Sequence, residues 1–173
     1  MMDAMNDPKT KAWAATIAFS LAGIISLLFF SHVSPSLFPH SIFYGVLVLN
    51  TFFSVRFFAA LIAPSARQIL VDTILCLLFI ALAYSLGNAA TFPLIATCLF
   101  LIAAVKYKIE LGSNPYPHVL KKKIGIDLLG AALCAAALAG VLAGYPFESA
   151  WALATIFSIA NVYLLMIRPM YRF

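Results

Sequence analysis

Two acidic residues stand out because each adjoins a long uncharged run of the chain. Asp72 precedes the run 73–105, and Asp127 precedes the run 128–147. An acid in a membrane-spanning segment costs about 2.5–3.5 kcal/mol on insertion scales, which makes it a functional candidate. Both acids lie in the first turns of their predicted helices, where the helix dipole stabilises a negative charge by about 0.3–1 kcal/mol. Their carboxylates are therefore candidates for ion pairs with cationic side chains.

Each acid has a cation at a similar depth on the preceding predicted helix. Arg56 precedes Asp72 in this way, and Lys106 precedes Asp127. The favoured interpretation is that Arg56 pairs with Asp72 and Lys106 with Asp127, as interfacial ion pairs that join neighbouring helical hairpins. The alternative is a polar cytoplasmic vestibule for an anion or for a proton-coupled substrate.

Two amides, Asn50 and Asn161, lie near the middle of predicted spans. A buried amide without a hydrogen-bond partner costs a few kcal/mol. We therefore expect these amides to bond to each other, or to Thr155, Ser158 or Tyr163. A role in joining helices is favoured over contact with a substrate.

The histidines and cysteines do not form a metal-binding or catalytic motif. His32 and His40 flank the first predicted outer loop without nearby Cys or carboxylate, which favours neither a metal nor haem. Cys76, Cys98 and Cys134 stand singly inside spans, as packing residues do. The sequence has no Gly-x-Ser-x-Gly, His-Glu-x-x-His or phosphate-binding glycine loop. No catalytic residue and no cofactor is predicted, and an enzyme is the less favoured class.

The composition excludes a water-soluble domain. Of 173 residues, 64% are hydrophobic and 10% are charged, whereas soluble proteins average about 45–50% and 25%. The net charge of +5 does not indicate a nucleic-acid binder, because the cations are separated by long uncharged runs. Such a binder needs a dense basic face.

The uncharged runs predict an all-α polytopic membrane protein. A spanning helix needs about 20 apolar residues, so the runs 12–55 and 73–105 each hold two helices. The first segment is too long for a signal-peptide core of about 7–15 residues. The chain is then one transmembrane domain, 1–173, with a tail at 1–11 and a basic loop at 106–123. The six predicted helices are 12–31, 38–60, 68–86, 90–107, 123–143 and 149–167.

The cations predict the threading through the membrane. With six spans, all of them fall on the terminal segments or on the second and fourth connections. Short basic loops stay cytoplasmic, so we expect both termini in the cytoplasm of a plasma (inner) membrane, with anionic lipid near the cations. The eleven cations are Lys9, Lys11, Arg56, Arg67, Lys106, Lys108, Lys121, Lys122, Lys123, Arg168 and Arg172.

Small residues recur at four-residue spacing on two helices. Helix packing in membranes depends on close backbone approach, so the first and fifth helices are predicted to be the most buried or to form a docking face. The rows are Ala14, Ala18, Ala22 and Ser26 on the first helix, and Ala136, Gly140 and Gly144 on the fifth. The second and fourth helices are bulky, with Phe57 and Phe58 in the second, which favours lipid contact. Tyr107, like Trp13, is predicted to be an interfacial anchor.

The third and fifth helices begin alike, with an acid five residues after a cation. They read Arg67 to Asp72 and Lys122 to Asp127. Duplicated hairpins are common in membrane proteins and often place a site at the repeat interface. The favoured explanation is coincidence under the charge bias, and internal duplication of a hairpin is the alternative.

These features favour a transport-related protein, either an oligomeric small-solute transporter or the membrane-embedded substrate-binding subunit of a larger transporter. In size, six spans, inner termini and the alanine row of the first helix, the chain resembles the substrate-binding components of energy-coupling-factor vitamin transporters. This resemblance implies their architecture only, because their ligands bind to outer loops and the outer loops here are short and poorly polar. The alternative is a non-catalytic membrane anchor or assembly subunit, and a lipid-processing enzyme is the least favoured. The expected partners are lipid and either a second copy or another membrane subunit, not nucleic acid.

Overall fold

The computed structural model describes residues 7–29, 34–62, 65–112 and 115–167. Within them the chain forms six α-helices and no strand. Each helix is long and apolar enough to cross a membrane, so the predicted six-helix membrane bundle is confirmed. The helices are α1 Pro8–Phe29, α2 Leu37–Leu61, α3 Ala66–Tyr84, α4 Thr91–Glu110, α5 Pro117–Leu142 and α6 Pro146–Val162, which continues into a π-helical turn, Tyr163–Ile167. His32, Arg168 and Arg172 lie outside the described residues.

The helices extend further at the basic connection than the sequence predicts. Because α4 runs to Glu110 and α5 begins at Pro117, most of the segment 106–123 is helical. Proline suits the first turn of a helix, where its missing N–H is not needed, and Pro146 begins α6 in the same way. The lysines that precede Asp127 are therefore part of α5.

Polar side chains cap the N-terminal ends of α1 and α3. The Asp7 carboxylate accepts hydrogen bonds from the Thr10 N–H and hydroxyl, both at 3.1 Å. The bond from the Thr10 N–H lowers the pKa of Asp7 below its ordinary value. The Ser65 hydroxyl accepts from the Gln68 N–H at 3.1 Å. Such caps satisfy N–H groups that have no partner within the helix.

The six helices pack as a closed ring in the order α1, α2, α6, α5, α4, α3 and back to α1. Each consecutive hairpin packs within itself. The hairpins are joined by contacts of α1 with α3, of α4 with α5 and of α2 with α6. In a rotational repeat of one hairpin, the second helix of each hairpin would pack against the first helix of the next. The contact of α4 with α5 has this form, but the contacts of α1 with α3 and of α2 with α6 do not.

Large aromatic side chains fill the centre of the ring between α2 and α4. The Phe43 ring of α2 lies 5.6 Å from Phe92 and 6.4 Å from Phe100, both of α4. Phe157 of α6 lies 4.2 Å from Phe43. Helices that face each other across a ring are too far apart for small residues to meet.

Of the two alternatives predicted for α1 and α5, the first, that they are the most buried helices, is therefore wrong, whereas a docking face stays a prediction. The buried share of the apolar stretch is 39% in α4 and 33% in α2, against 22% in α1 and 28% in α5. The bulky residues that suggested lipid contact point inwards instead, since Phe57 and Phe58 are buried.

The small residues divide into packing positions and exposed positions. A side chain at Gly140 would collide with Ser149 of α6, so this glycine permits close packing of α5 and α6. Ala14, Ala18 and Ala136 are exposed, however, and Ala22 is half-buried. The rows predicted on the two helices are thus not continuous packing stripes.

Gly144 has a different role from the one predicted, because it ends α5. Its φ is +94°, a conformation that favours glycine. The Gly144 N–H donates to the Val141 carbonyl and the Tyr145 N–H to the Gly140 carbonyl, both at 3.0 Å. This is a Schellman cap.

The described cations share one end of the bundle. There the first residues of α1, α3 and α5 meet the last residues of α2 and α4 around a common cavity. We call this the cationic end. The described cations are Lys9, Lys11, Arg56, Arg67, Lys106, Lys108, Lys121, Lys122 and Lys123.

Candidate functional site

A cavity of about 340 Å³ lies inside the cationic end, between α1, α2, α3, α4 and α5. Its volume is at the lower end of the range of about 300–1,000 Å³ for pockets that bind small molecules. The lining is unusually polar for the interior of a membrane protein. The polar and charged side chains in it are Lys11, Asn50, Thr51, Ser54, Gln68, Asp72, Lys106, Tyr107, Lys123 and Asp127.

The inner end of the cavity is apolar. Phe19 of α1 and Phe79 of α3 are stacked with their centroids 4.2 Å apart. Leu47, Leu99 and Phe100 complete this floor. The floor is continuous with the aromatic centre of the ring, so the cavity is closed towards the opposite end of the bundle.

Asp72 forms an ion pair across the interface of α3 and α4. The Lys106 Nζ donates to the Asp72 Oδ1 at 2.5 Å, and the side chains are 15% and 45% exposed, respectively. Gln68 lies one turn before Asp72. With the Gln68 amide oriented to satisfy its neighbours, its oxygen accepts from the Lys106 Nζ at 3.1 Å and its nitrogen donates to Glu110 at 3.2 Å.

Asp127 forms a second ion pair, which is buried. The Lys123 Nζ donates to the Asp127 Oδ1 at 2.6 Å, and the side chains are 6% and 1% exposed, respectively. The other carboxylate oxygen, Oδ2, is buried and has no hydrogen-bond partner in the described part of the chain. A buried acceptor without a partner costs about 1–3 kcal/mol, and more when it is charged.

Tyr107 connects the two ion pairs. Its ring centroid lies 5.8 Å from the Lys106 Nζ and 5.6 Å from the Lys123 Nζ. At such distances an aromatic ring attracts an ammonium group. Its hydroxyl is 3.1 Å from the Ser54 hydroxyl of α2. Tyr107 is buried, so the prediction that it is an interfacial anchor is wrong.

Both acids form ion pairs, but the cations predicted as their partners are wrong. Asp72 pairs with Lys106 and not with Arg56, which is exposed. Asp127 pairs with Lys123 of its own helix and not with Lys106. The physical reason is that Lys123 lies one turn before Asp127 on the same face of α5.

The two amides do not bond to each other. Asn50 lines the cavity. Asn161 is buried on α6, where its Nδ2 donates to the Phe157 carbonyl at 2.9 Å. The Asn161 Oδ1 and the Ser158 hydroxyl are buried without hydrogen-bond partners in the described residues.

His40 packs in the core of the bundle, and the three cysteines are free thiols. The Nδ1 of His40 lies 3.0 Å from the Leu86 carbonyl, and the ring stacks on Phe92 at 4.1 Å. Cys134 is buried, and Cys76 and Cys98 are exposed. Across the described ranges, no group of three or more His, Cys, Asp or Glu side chains could hold a metal ion.

Sequence reasoning missed Lys123, Gln68, Tyr107 and Ser54 as members of the site. The four-residue spacing of Lys123 and Asp127 is the available signal, but Lys123 stands at the boundary between the predicted loop 106–123 and the predicted helix 123–143. Tyr107 and Ser54 gave no signal, because an aromatic residue near a span end and a serine within a span are both common. Their roles depend on which helices meet.

Comparisons with protein-family models, with curated proteins and with solved structures found no match to this chain. The geometry of the cavity is therefore the basis for a functional assignment. It combines ammonium groups, carboxylates and hydroxyls at the cationic end with an aromatic floor. Such a site can bind a small polar molecule and shield it from lipid.

Proposed function

We propose that this membrane protein binds a small polar solute in the cavity and is transport-related, either as a transporter or as the substrate-binding subunit of a larger one. The observation that carries the proposal is the cavity itself, with five charged side chains. Charged residues inside membrane proteins are costly and typically mark solute or ion pathways.

The aromatic floor favours a binding site that opens on one side over a continuous channel. Phe19 and Phe79 stack directly across the inner end of the cavity. A solute that enters from the cationic end would stop there, and its passage would require these rings to separate. Alternating access of this kind is typical of secondary transporters.

The proposed orientation places the cationic end in the cytoplasm of a plasma (inner) membrane. The positive-inside bias supports this orientation. The exposed lysines Lys121 and Lys122 would then contact anionic lipid, at about 1 kcal/mol for each cation near the surface.

A matched pair of α1 variants tests solute binding. Ala15 lines the cavity, whereas the neighbouring Ala14 is exposed. The purified full-length protein is screened against anionic, neutral and cationic small solutes for a saturable rise in Tm. We expect Ala15→Leu to abolish the rise and Ala14→Leu to retain it. Ala103→Leu, which fills the cavity from α4, is the second cavity variant if Ala15→Leu does not fold.

Uptake into proteoliposomes separates a transporter from a binding subunit. A solute that raises Tm and accumulates in vesicles indicates a transporter that acts alone. Binding without accumulation indicates a subunit that needs a partner. If no solute in the screen raises Tm, the proposal is wrong.

A second candidate function, a membrane anchor or assembly subunit, is supported by the exposed alanines. Ala14 and Ala18 on α1, and Ala132, Ala136 and Ala139 on α5, leave small faces outside the ring. Small residues allow another helix to approach closely. Native mass spectrometry from mild detergent tests this candidate, because a stoichiometric partner or a second copy should then co-purify.

A further inference from the structure

We infer that the solute is a small organic acid with a single negative charge, a neutral hydrogen-bond donor next to its carboxylate and an apolar body. A 2-hydroxy acid with an aromatic or aliphatic side chain has this chemistry. The inference rests on the proposed function and specifies the ligand of the same cavity.

The lining has one more cationic than anionic side chain. Three lysines, Lys11, Lys106 and Lys123, face two acids, Asp72 and Asp127. Lys106 and Lys123 each pair with one of the acids. Lys11 forms no ion pair with any described residue. Lys11 is half-buried, and the acid Glu110, outside the lining, accepts from Gln68. A ligand with one negative charge would therefore balance the charges of the lining itself.

The buried acceptor requires a donor. The Asp127 Oδ2 is without a hydrogen-bond partner in the described chain, and the Asp127 side chain is 1% exposed. Lys123 already engages the other oxygen of this carboxylate. A hydroxyl group of the ligand would satisfy Oδ2 without adding a positive charge.

The order of groups along the helices matches such a molecule. Lys11 lies in the first turn of α1 and lines the cavity. Asp127 is four residues further into α5 than Lys123, which is about 6 Å at the helical rise of 1.5 Å per residue. Phe19 and Phe79 form the floor beyond these charges. The cavity thus presents a cation and an acceptor on the side of the cationic end, and an aromatic surface at its floor.

Three probes of one shape test the two polar requirements. 3-Phenyllactate carries the acid and the hydroxyl, 3-phenylpropionate lacks the hydroxyl, and 3-phenyllactamide lacks the charge. Each is titrated against the full-length protein in lipid nanodiscs, with Tm as the readout. We expect 3-phenyllactate to bind roughly 10-fold more tightly than either analogue, because each analogue loses one hydrogen bond that involves a charged partner.

Variants assign these preferences to residues. Lys11→Gln should remove the preference for the acid over the amide and retain the preference for the hydroxyl. Lys9→Gln is the matched control, since Lys9 is exposed and is not part of the cavity lining. The double variant Lys123→Met with Asp127→Leu removes the buried pair as a unit. It should lose the preference for the hydroxyl.

The outcomes separate this inference from the proposed function. If the broad solute screen finds a ligand that is neutral or cationic, the inference is wrong and the proposed function stands. Equal affinity for the three probes, or an unchanged acid preference in Lys11→Gln, also overturns the inference. If no solute of any class binds, both proposals fail.

Discussion

At the scale of single residues, the two acids that look alike in the sequence differ in the structure. Asp72 has a side chain that is 45% exposed and a partner on another helix. Asp127 is 1% exposed, and its partner is on its own helix. A partly exposed ion pair contributes about 0–1 kcal/mol, whereas breaking a buried pair costs about 3–5 kcal/mol, because it leaves one charge uncompensated.

We therefore predict that Asp127→Asn lowers the free energy of unfolding by about 3–5 kcal/mol and Asp72→Asn by about 1 kcal/mol or less. The measurement is the denaturant midpoint in detergent, together with the amount of protein in the membrane. The double variant Lys123→Met with Asp127→Leu should regain most of the loss, since no charge is left alone. Similar losses for Asp72→Asn and Asp127→Asn would contradict this assignment.

At the scale of helices, packing depends on where small and large residues meet. Gly23 lies against the Tyr44 ring, and Gly130 lies against the Phe100 ring. Each of these glycines receives a large side chain from a neighbouring helix. Close packing in this bundle is thus made by glycine and aromatic pairs, and the alanine rows contribute less to it.

Gly140 and Ala136 test this description of α5, because they lie one turn apart. Gly140→Val places a side chain against Ser149, and overpacking typically costs about 1–3 kcal/mol. Ala136→Val adds the same class of side chain at an exposed position and should change stability by about 0.5 kcal/mol or less. Thermal unfolding in detergent gives both values.

The variant Ala136→Val also tests whether α5 takes part in assembly. If the exposed face of α5 binds a second copy or another subunit, Ala136→Val should weaken the complex in native mass spectrometry while the Tm of the protomer is unchanged. A loss of protomer stability in Ala136→Val would place this residue inside the bundle and contradict the described packing.

At the scale of the whole molecule, the separation of charge between the two ends of the bundle predicts its orientation in a membrane. The described cations lie at one end, and Glu148 begins α6 at the other. The positive-inside bias then predicts a single orientation. The ion pairs in the cavity are compatible with this orientation, because they lie at the same end.

Reporter fusions expressed in a bacterial inner membrane test the orientation. Alkaline phosphatase at the C-terminus should be inactive and a fluorescent protein at the same position should be fluorescent, because both termini are predicted to be cytoplasmic. Phosphatase inserted into the turn between α3 and α4 should be active. The double variant Lys121→Gln with Lys122→Gln removes two exposed charges and leaves Lys123 in place. It should weaken the preference for this orientation. An active phosphatase at the C-terminus of the unmodified chain would refute the orientation.

The sequence by itself determined the class of protein, the number of helices and the end at which the cations lie. These properties depend on whole segments of the chain and not on single contacts. A spanning helix needs only enough apolar residues, and the orientation depends only on which loops carry the cations. The acids Asp72 and Asp127 were also found in this way, as exceptions within apolar segments.

Only the tertiary structure decided which side chains meet. The ring order places α2 and α4 opposite each other, so their aromatic side chains meet at the centre. The cavity is surrounded by five helices. The pairing of Lys106 with Asp72, and the position of Tyr107 between two lysines, depend on that order. The physical reason is that hydropathy distinguishes water from lipid but not lipid from the protein interior, because both are apolar. Which face of a helix turns inwards is therefore settled by packing between helices.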